Sequence, residues 1–130
     1  MRPLSLNISD AELIDFADQW AKRMEIEDYE AAFSMTDHVP EMCWTPALIR
    51  EVVKAYGDAK PSQRVTLLGE PTDITQRKKV SRHAPNRYQF IGEIWYDLNI
   101  DGFVSDLTAT FHLKTTSDGI VVYLNDIHVM

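Results

Sequence analysis

The feature that most restricts the fold of this chain is a change of hydrophobic period near Lys60. Before it, apolar residues recur every three or four positions. After it, they alternate. Period 3.6 places a stripe along a helix and period 2 places a face on a strand, so one segment cannot satisfy both. A helical first half followed by a stranded second half predicts an α+β domain over residues 1–130.

The helical half is well punctuated. Ser9 and Glu12 have capping-box spacing, with Ile8 and Leu13 placed as a hydrophobic staple. Leu13, Phe16, Ala17, Trp20, Ala21 and Met24 then form one apolar stripe that ends near Glu25. Asp28 caps a short second helix bearing Tyr29, Ala32 and Phe33. Thr45 caps a third, with Pro46 at its first position, where a missing N–H costs nothing. Leu48, Ile49, Val52, Val53 and Tyr56 make its stripe, and Gly57 ends it in the left-handed conformation.

In the stranded half, Arg64–Leu68 reads as a strand. Thr72–Pro85 reads as a long loop or a ragged, charged edge. Asn86–Ile100 alternates, and Asp101-Gly102 is a two-residue type I′ hairpin signal. That turn pairs Tyr96 with Leu107 and sets Asp97 opposite Asp106. Ser117-Asp118-Gly119 reads as a three-residue loop, which pairs Leu113 with Tyr123, Phe111 with Asn125 and Ala109 with Ile127. The expected whole is three N-terminal helices packed on a curved antiparallel sheet of about four strands.

Composition narrows the function classes. Thirteen basic against twenty acidic residues give a formal charge of −7, and no nucleic-acid motif is present. Phosphate contact needs a positive surface, so nucleic acid is not an expected partner. Five basic residues (Arg77, Lys78, Lys79, Arg82, Arg87) lie in one acid-free stretch, and without them the remainder carries 8 basic and 20 acidic residues, or −12. That balance favours a basic partner. No apolar run is long enough to cross a bilayer and no signal peptide is evident, so no membrane partner and a cytoplasmic location are expected. The single cysteine, Cys43, reads as a buried structural thiol.

Three helices followed by a long antiparallel sheet resemble, in element order and length, the cone-shaped fold of the nuclear transport factor 2-like superfamily. Ser105-Asp106-Leu107-Thr108 and Asn125-Asp126-Ile127-His128-Val129 resemble the C-terminal hairpin of small stand-alone bacterial domains of that fold. The resemblance implies several occupations: isomerases or dehydratases with an acid or base inside the cone, assembly modules, and immunity proteins that neutralise bacterial toxins.

The expected register puts Trp20, Tyr29, Tyr88, Tyr96, Ser105 and Asn125 inside the cone as the residues of a pocket. No carboxylate or histidine joins them, so proton transfer has no agent there. No catalytic residue, metal site or cofactor is assigned. The outer face collects Glu93, Trp95, Asp97, Asp106, Asp126 and His128, together with Leu124 and Val122. A large aromatic among acids is interface-like. The leading expectation is a non-catalytic immunity protein that holds a cognate, basic toxin on this face. The alternatives are a small-molecule binder or isomerase/dehydratase-type enzyme using the cone, and a homodimeric scaffold.

Overall fold

The computed structural model describes residues 1–129. Helix α1 spans Asp10–Glu25, α2 Tyr29–Ser34 and α3 Pro46–Ala55, with a 3-10 turn at Pro40–Met42 between α2 and α3. The strands are β1 Val65–Thr66, β2 Lys78–Arg82, β3 Phe90–Ile100, β4 Phe103–Thr116 and β5 Gly119–Val129. They form one curved antiparallel sheet in which β3 pairs β4, β4 pairs β5, and both β1 and β2 pair the far edge of β3. The count is five strands rather than about four, because the basic stretch contributes β2.

The local signals act as expected. The Ser9 side chain accepts from the Glu12 amide, and the Glu12 carboxylate accepts from the Ser9 amide, completing the capping box. Asp28 and Thr45 cap α2 and α3. Asp101 and Gly102 both have positive φ, at 50° and 83°, as a type I′ turn requires.

The core lies between α1 and one face of the sheet. Leu13, Ala17, Trp20 and Met24 meet Ile94, Tyr96, Leu98, Phe111, Leu113 and Ile127, all buried. Trp20 packs edge-on to Phe111, with ring centroids 5.2 Å apart. Two ion pairs fasten α1 along β2: Lys78 to Asp18 at 2.8 Å and Arg82 to Asp10 at 2.7 Å. At Gly92 β2 approaches so closely that a Cβ would sit 2.2 Å from the Ser81 carbonyl oxygen, so the position admits only hydrogen.

Two β-bulges correct the expected register. Between Asn99↔Val104 and Asp97↔Thr108, Leu98 faces three residues of β4. The Ser105 hydroxyl donates to the Leu98 carbonyl at 2.6 Å and accepts from the Leu107 amide at 3.2 Å, replacing ladder bonds that the extra residues would lose. Tyr96 therefore pairs with Ala109, not Leu107, and Asp97 with Thr108, not Asp106. The shift is two residues, so every side chain keeps its face.

On β5 the loop holds two residues, since Thr116 pairs with Gly119. This moves Leu113 onto Val122 and Phe111 onto Leu124. Asn125 is the extra residue that restores Ala109↔Ile127. Its backbone carbonyl accepts from Trp44 Nε1 at 3.0 Å, and its side-chain amide donates to Thr110 Oγ1 at 3.2 Å. Val122 and Leu124 thus point into the core, not outward, because a one-residue slip turns a strand over.

Candidate functional site

The sheet face opposite the helices is ordered into three cross-strand rows. Arg77, just before β2, lies beside Asp97, which pairs with Thr108 and through it with His128. Lys79 pairs with Trp95, then Thr110, then Asp126. Ser81 pairs with Glu93, then His112, then Tyr123. Residues directly opposite on one face interact most strongly, so these rows set the chemistry.

The first row neutralises itself. Asp97 is only 7% exposed, and a buried carboxylate is costly unless paired and hydrogen-bonded. It accepts from Thr108 Oγ1 at 2.8 Å, from the Arg77 amide at 2.8 Å and from Arg77 Nη2 at 3.4 Å. The same guanidinium stacks 5.2 Å from the centre of the Trp95 ring. The compensating cation thus comes from this chain. His128 Nδ1 sits 3.0 Å from an Asp126 carboxylate oxygen, its neighbour two residues back on the same face.

The face is not acidic, contrary to expectation. Arg77, Lys79 and Lys114 balance Glu93, Asp97 and Asp126 on it. Asp106 lies in the bulge and turns away to accept from the hydroxyl of Tyr56, the C-cap of α3. Burial and that bond push the Tyr56 phenol upward, so it remains the donor. The net charge is concentrated instead in residues 10–30, where eight acids meet two bases.

Of the six expected interior residues, four are inside. Trp20 is fully buried, and Tyr29 and Ser105 nearly so. The Tyr96 hydroxyl donates to Asp18 at 2.6 Å, and burial, reinforced by that carboxylate, holds the phenol protonated far above its usual range. Tyr88 and Asn125 are not inside. Tyr88 precedes β3 and is 56% exposed, and the bulge turns the Asn125 amide to Thr110 on the outer face. An irregularity between Phe90 and Gly92 sets the Phe90 ring edge-on to His112 and Tyr123. Cys43 is exposed rather than buried, at the end of the 3-10 turn.

Three surface clefts stand out, and none is lined by Trp20, Tyr29 or Tyr96. One, of about 310 Å³, lies between Arg77, Lys79, Ser81, Glu93 and Trp95. A second, of about 280 Å³, adjoins it through Glu93 and reaches His83, Tyr88, Phe90 and His112. The third, also about 310 Å³, lies by Tyr56, Asp73, Ser105 and Asp106. His112 is half-buried, and burial lowers its basicity against the opposing pull of Glu93, so its imidazole is neutral at pH 7.

Sequence reasoning brought Glu93, Trp95, Asp97, Asp126 and His128 to one face, and the structure places them there. It missed Arg77, Lys79, His83 and Phe90 as their neighbours. A period-2 signal was present in β2: Arg77, Lys79 and Ser81 face outward, while Lys78 and Arg82 reach α1 and Val80 packs on the core. A family model described as a domain of unknown function (DUF7668) matches residues 21–130. Comparison with curated proteins and with solved structures gives no match.

Proposed function

The chain belongs to the DUF7668 family of domains of unknown function, and within it we propose a non-catalytic binding protein that docks a partner protein on the outer face of its sheet. One observation carries this reading. Trp95 stands partly exposed on the open face, in one cleft with Lys79 and Glu93, neither of which forms an ion pair among the described residues, whereas Trp20, Tyr29 and Tyr96 line none of the three clefts. A large aromatic anchor with free charges around it is the make-up of an interface centre and its rim.

We read the fold as nuclear transport factor 2-like and the activity as that of a bacterial immunity protein, which occludes a cognate toxin. The partner's complement is not purely basic: it offers an apolar side chain or surface to Trp95, an acid to Lys79 and a base to Glu93. Complementary charge of this kind speeds association and fixes register.

The test is co-expression with the protein encoded beside it, followed by a measured Kd. Trp95→Ala and Lys79→Glu should each weaken binding at least tenfold while the fold is retained. Binding that is unchanged in Trp95→Ala removes this face from the interface. Sedimentation in the absence of partner separates the scaffold reading: a dimer that Trp95→Ala dissolves would replace the toxin by a second copy of this chain.

A further inference from the structure

The cleft around Glu93 has a chemistry of its own. Glu93 is partly buried on β3, between Ser81 on one side and His112 on the other, and among the described residues it forms no ion pair and accepts no hydrogen bond. A carboxylate held among partly apolar walls without a counter-ion is unfavourable, and the group that relieves it is a cation.

The neighbours do not supply one. His112 is kept neutral by burial. His83 is exposed, with Nδ1 engaged 2.8 Å from the Ala84 carbonyl. Lys79, diagonally across the sheet, makes no ion pair with Glu93.

The walls favour a cation as well. The faces of aromatic rings attract positive charge. Two rings of this cluster already hold cations of the chain itself: Arg87 lies 4.7 Å from the centre of Tyr88, and Lys114 lies 5.9 Å from the centre of Tyr123. Between them, Phe90 stands edge-on to His112 at 5.2 Å and to Tyr123 at 5.8 Å, giving the cleft an apolar side. Gly92, which also lines the cleft, adds no side chain to it. About 280 Å³ suits one long side chain and is small for a drug-sized ligand.

We propose that this cleft accepts an ammonium or guanidinium group on an apolar stem, with the charge against the Glu93 carboxylate and the stem along Phe90 and Tyr88. The proposal rests on the docking reading above and deepens it: the occupant is a Lys or Arg side chain of the partner. A free alkyl amine has the same chemistry, so the experiment separates the two sources.

The probes are agmatine and butylamine, with acetate as the anion control, titrated into the whole chain while the imidazole resonances of His83 and His112 are followed by NMR. Agmatine should shift His112 saturably and acetate should not. Glu93→Gln should weaken agmatine at least tenfold, and Phe90→Leu severalfold, with unfolding midpoints close to wild type. Absence of a saturable shift, or equal affinity in Glu93→Gln, overturns the cation site while leaving docking through Trp95 to stand or fall on its own test. Loss of partner affinity in Glu93→Gln, with agmatine competing against the partner, assigns the site to a partner side chain. Amine binding that Glu93→Gln removes without any effect on partner affinity overturns that assignment.

Discussion

Trp20 and Trp95 test the division of the sheet into a core face and a docking face, because they are chemically the same residue on opposite sides of it. Trp20 is fully buried and packs on Phe111. A buried Trp removes about 150–250 Å² from water, which at about 25 cal/mol per Å² is about 4–6 kcal/mol. Truncation of buried Trp to Ala in protein cores costs about 3–5 kcal/mol. Trp20 Nε1 has no hydrogen-bond partner among the described residues, so part of that cost is offset by losing an unsatisfied donor. Trp20→Ala should therefore cost about 4 kcal/mol. An unfolding entropy of about 2.1 cal/mol/K per residue makes that about 15 °C in Tm for a chain of this length. Trp95 loses the Arg77 stack, worth about 0.5–1 kcal/mol at an exposed site, and part of its ring burial. Trp95→Ala should cost about 1–2 kcal/mol, or about 4–7 °C. The assay is urea unfolding of both variants, followed by far-ultraviolet circular dichroism. Equal losses in the two would mean that Trp95 is core, and the docking face would have to be abandoned.

Two further outcomes follow from the same geometry. Burial lowers the pKa of His112, and of His38 stacked 4.0 Å from Phe33, below the ordinary 6.5. The unfolded chain then binds more protons than the folded one just below pH 6.5, so stability falls as pH drops through that window; His112→Gln should flatten the Tm–pH curve between pH 7 and 5, and an unchanged slope would refute the buried-histidine account. Deleting Asn125 should cost about 3 kcal/mol or more, because residues 126–129 must either unpair or turn Asp126 and His128 inward. Asn125→Ala loses one hydrogen bond and should cost about 1 kcal/mol; urea midpoints showing the deletion no worse than the substitution would mean that the bulge does not set the register.

The helices were legible because their signals are local. A capping box, a Pro at the first position and a glycine beyond the end each act within four residues, and Ser9, Thr45, Pro46 and Gly57 take the places expected of them. The outer face of the sheet was legible only in part. Glu93, Trp95 and Asp97 are on one strand, and their common face follows from alternation alone. Arg77 and Lys79 reach that face only once β2 pairs with β3, a choice of partner that no short-range pattern in Lys78–Arg82 specifies. The polarity of the face was misjudged for that reason. A Trp among acids became a Trp stacked on an arginine and paired with a lysine.

The register errors have a sharper cause, and parity decides which of them mattered. The Ser105 bulge displaces β4 by two residues, which changes the partners of β3 from Asp97 back toward its start, leaves Asn99↔Val104 and Ile100↔Phe103 as the turn sets them, and turns over no side chain. Ile94, Tyr96, Ala109 and Phe111 therefore remain in the core. The β4–β5 turn is one residue shorter than expected, which inverts residues 120–124, and Asn125 inverts the strand back. Asp126 and His128 point outward in both registers because two odd displacements cancel. In each bulge the extra backbone is satisfied from outside the ladder: by the Ser105 hydroxyl in the first, and by Trp44 Nε1 at the Asn125 carbonyl in the second, where the Asn125 side chain also bonds Thr110. These partners include one 81 residues distant in sequence. A hairpin rule extrapolates from the turn, and so it holds as far as the first position where a distant side chain makes an unpaired residue cheaper than a continuous ladder.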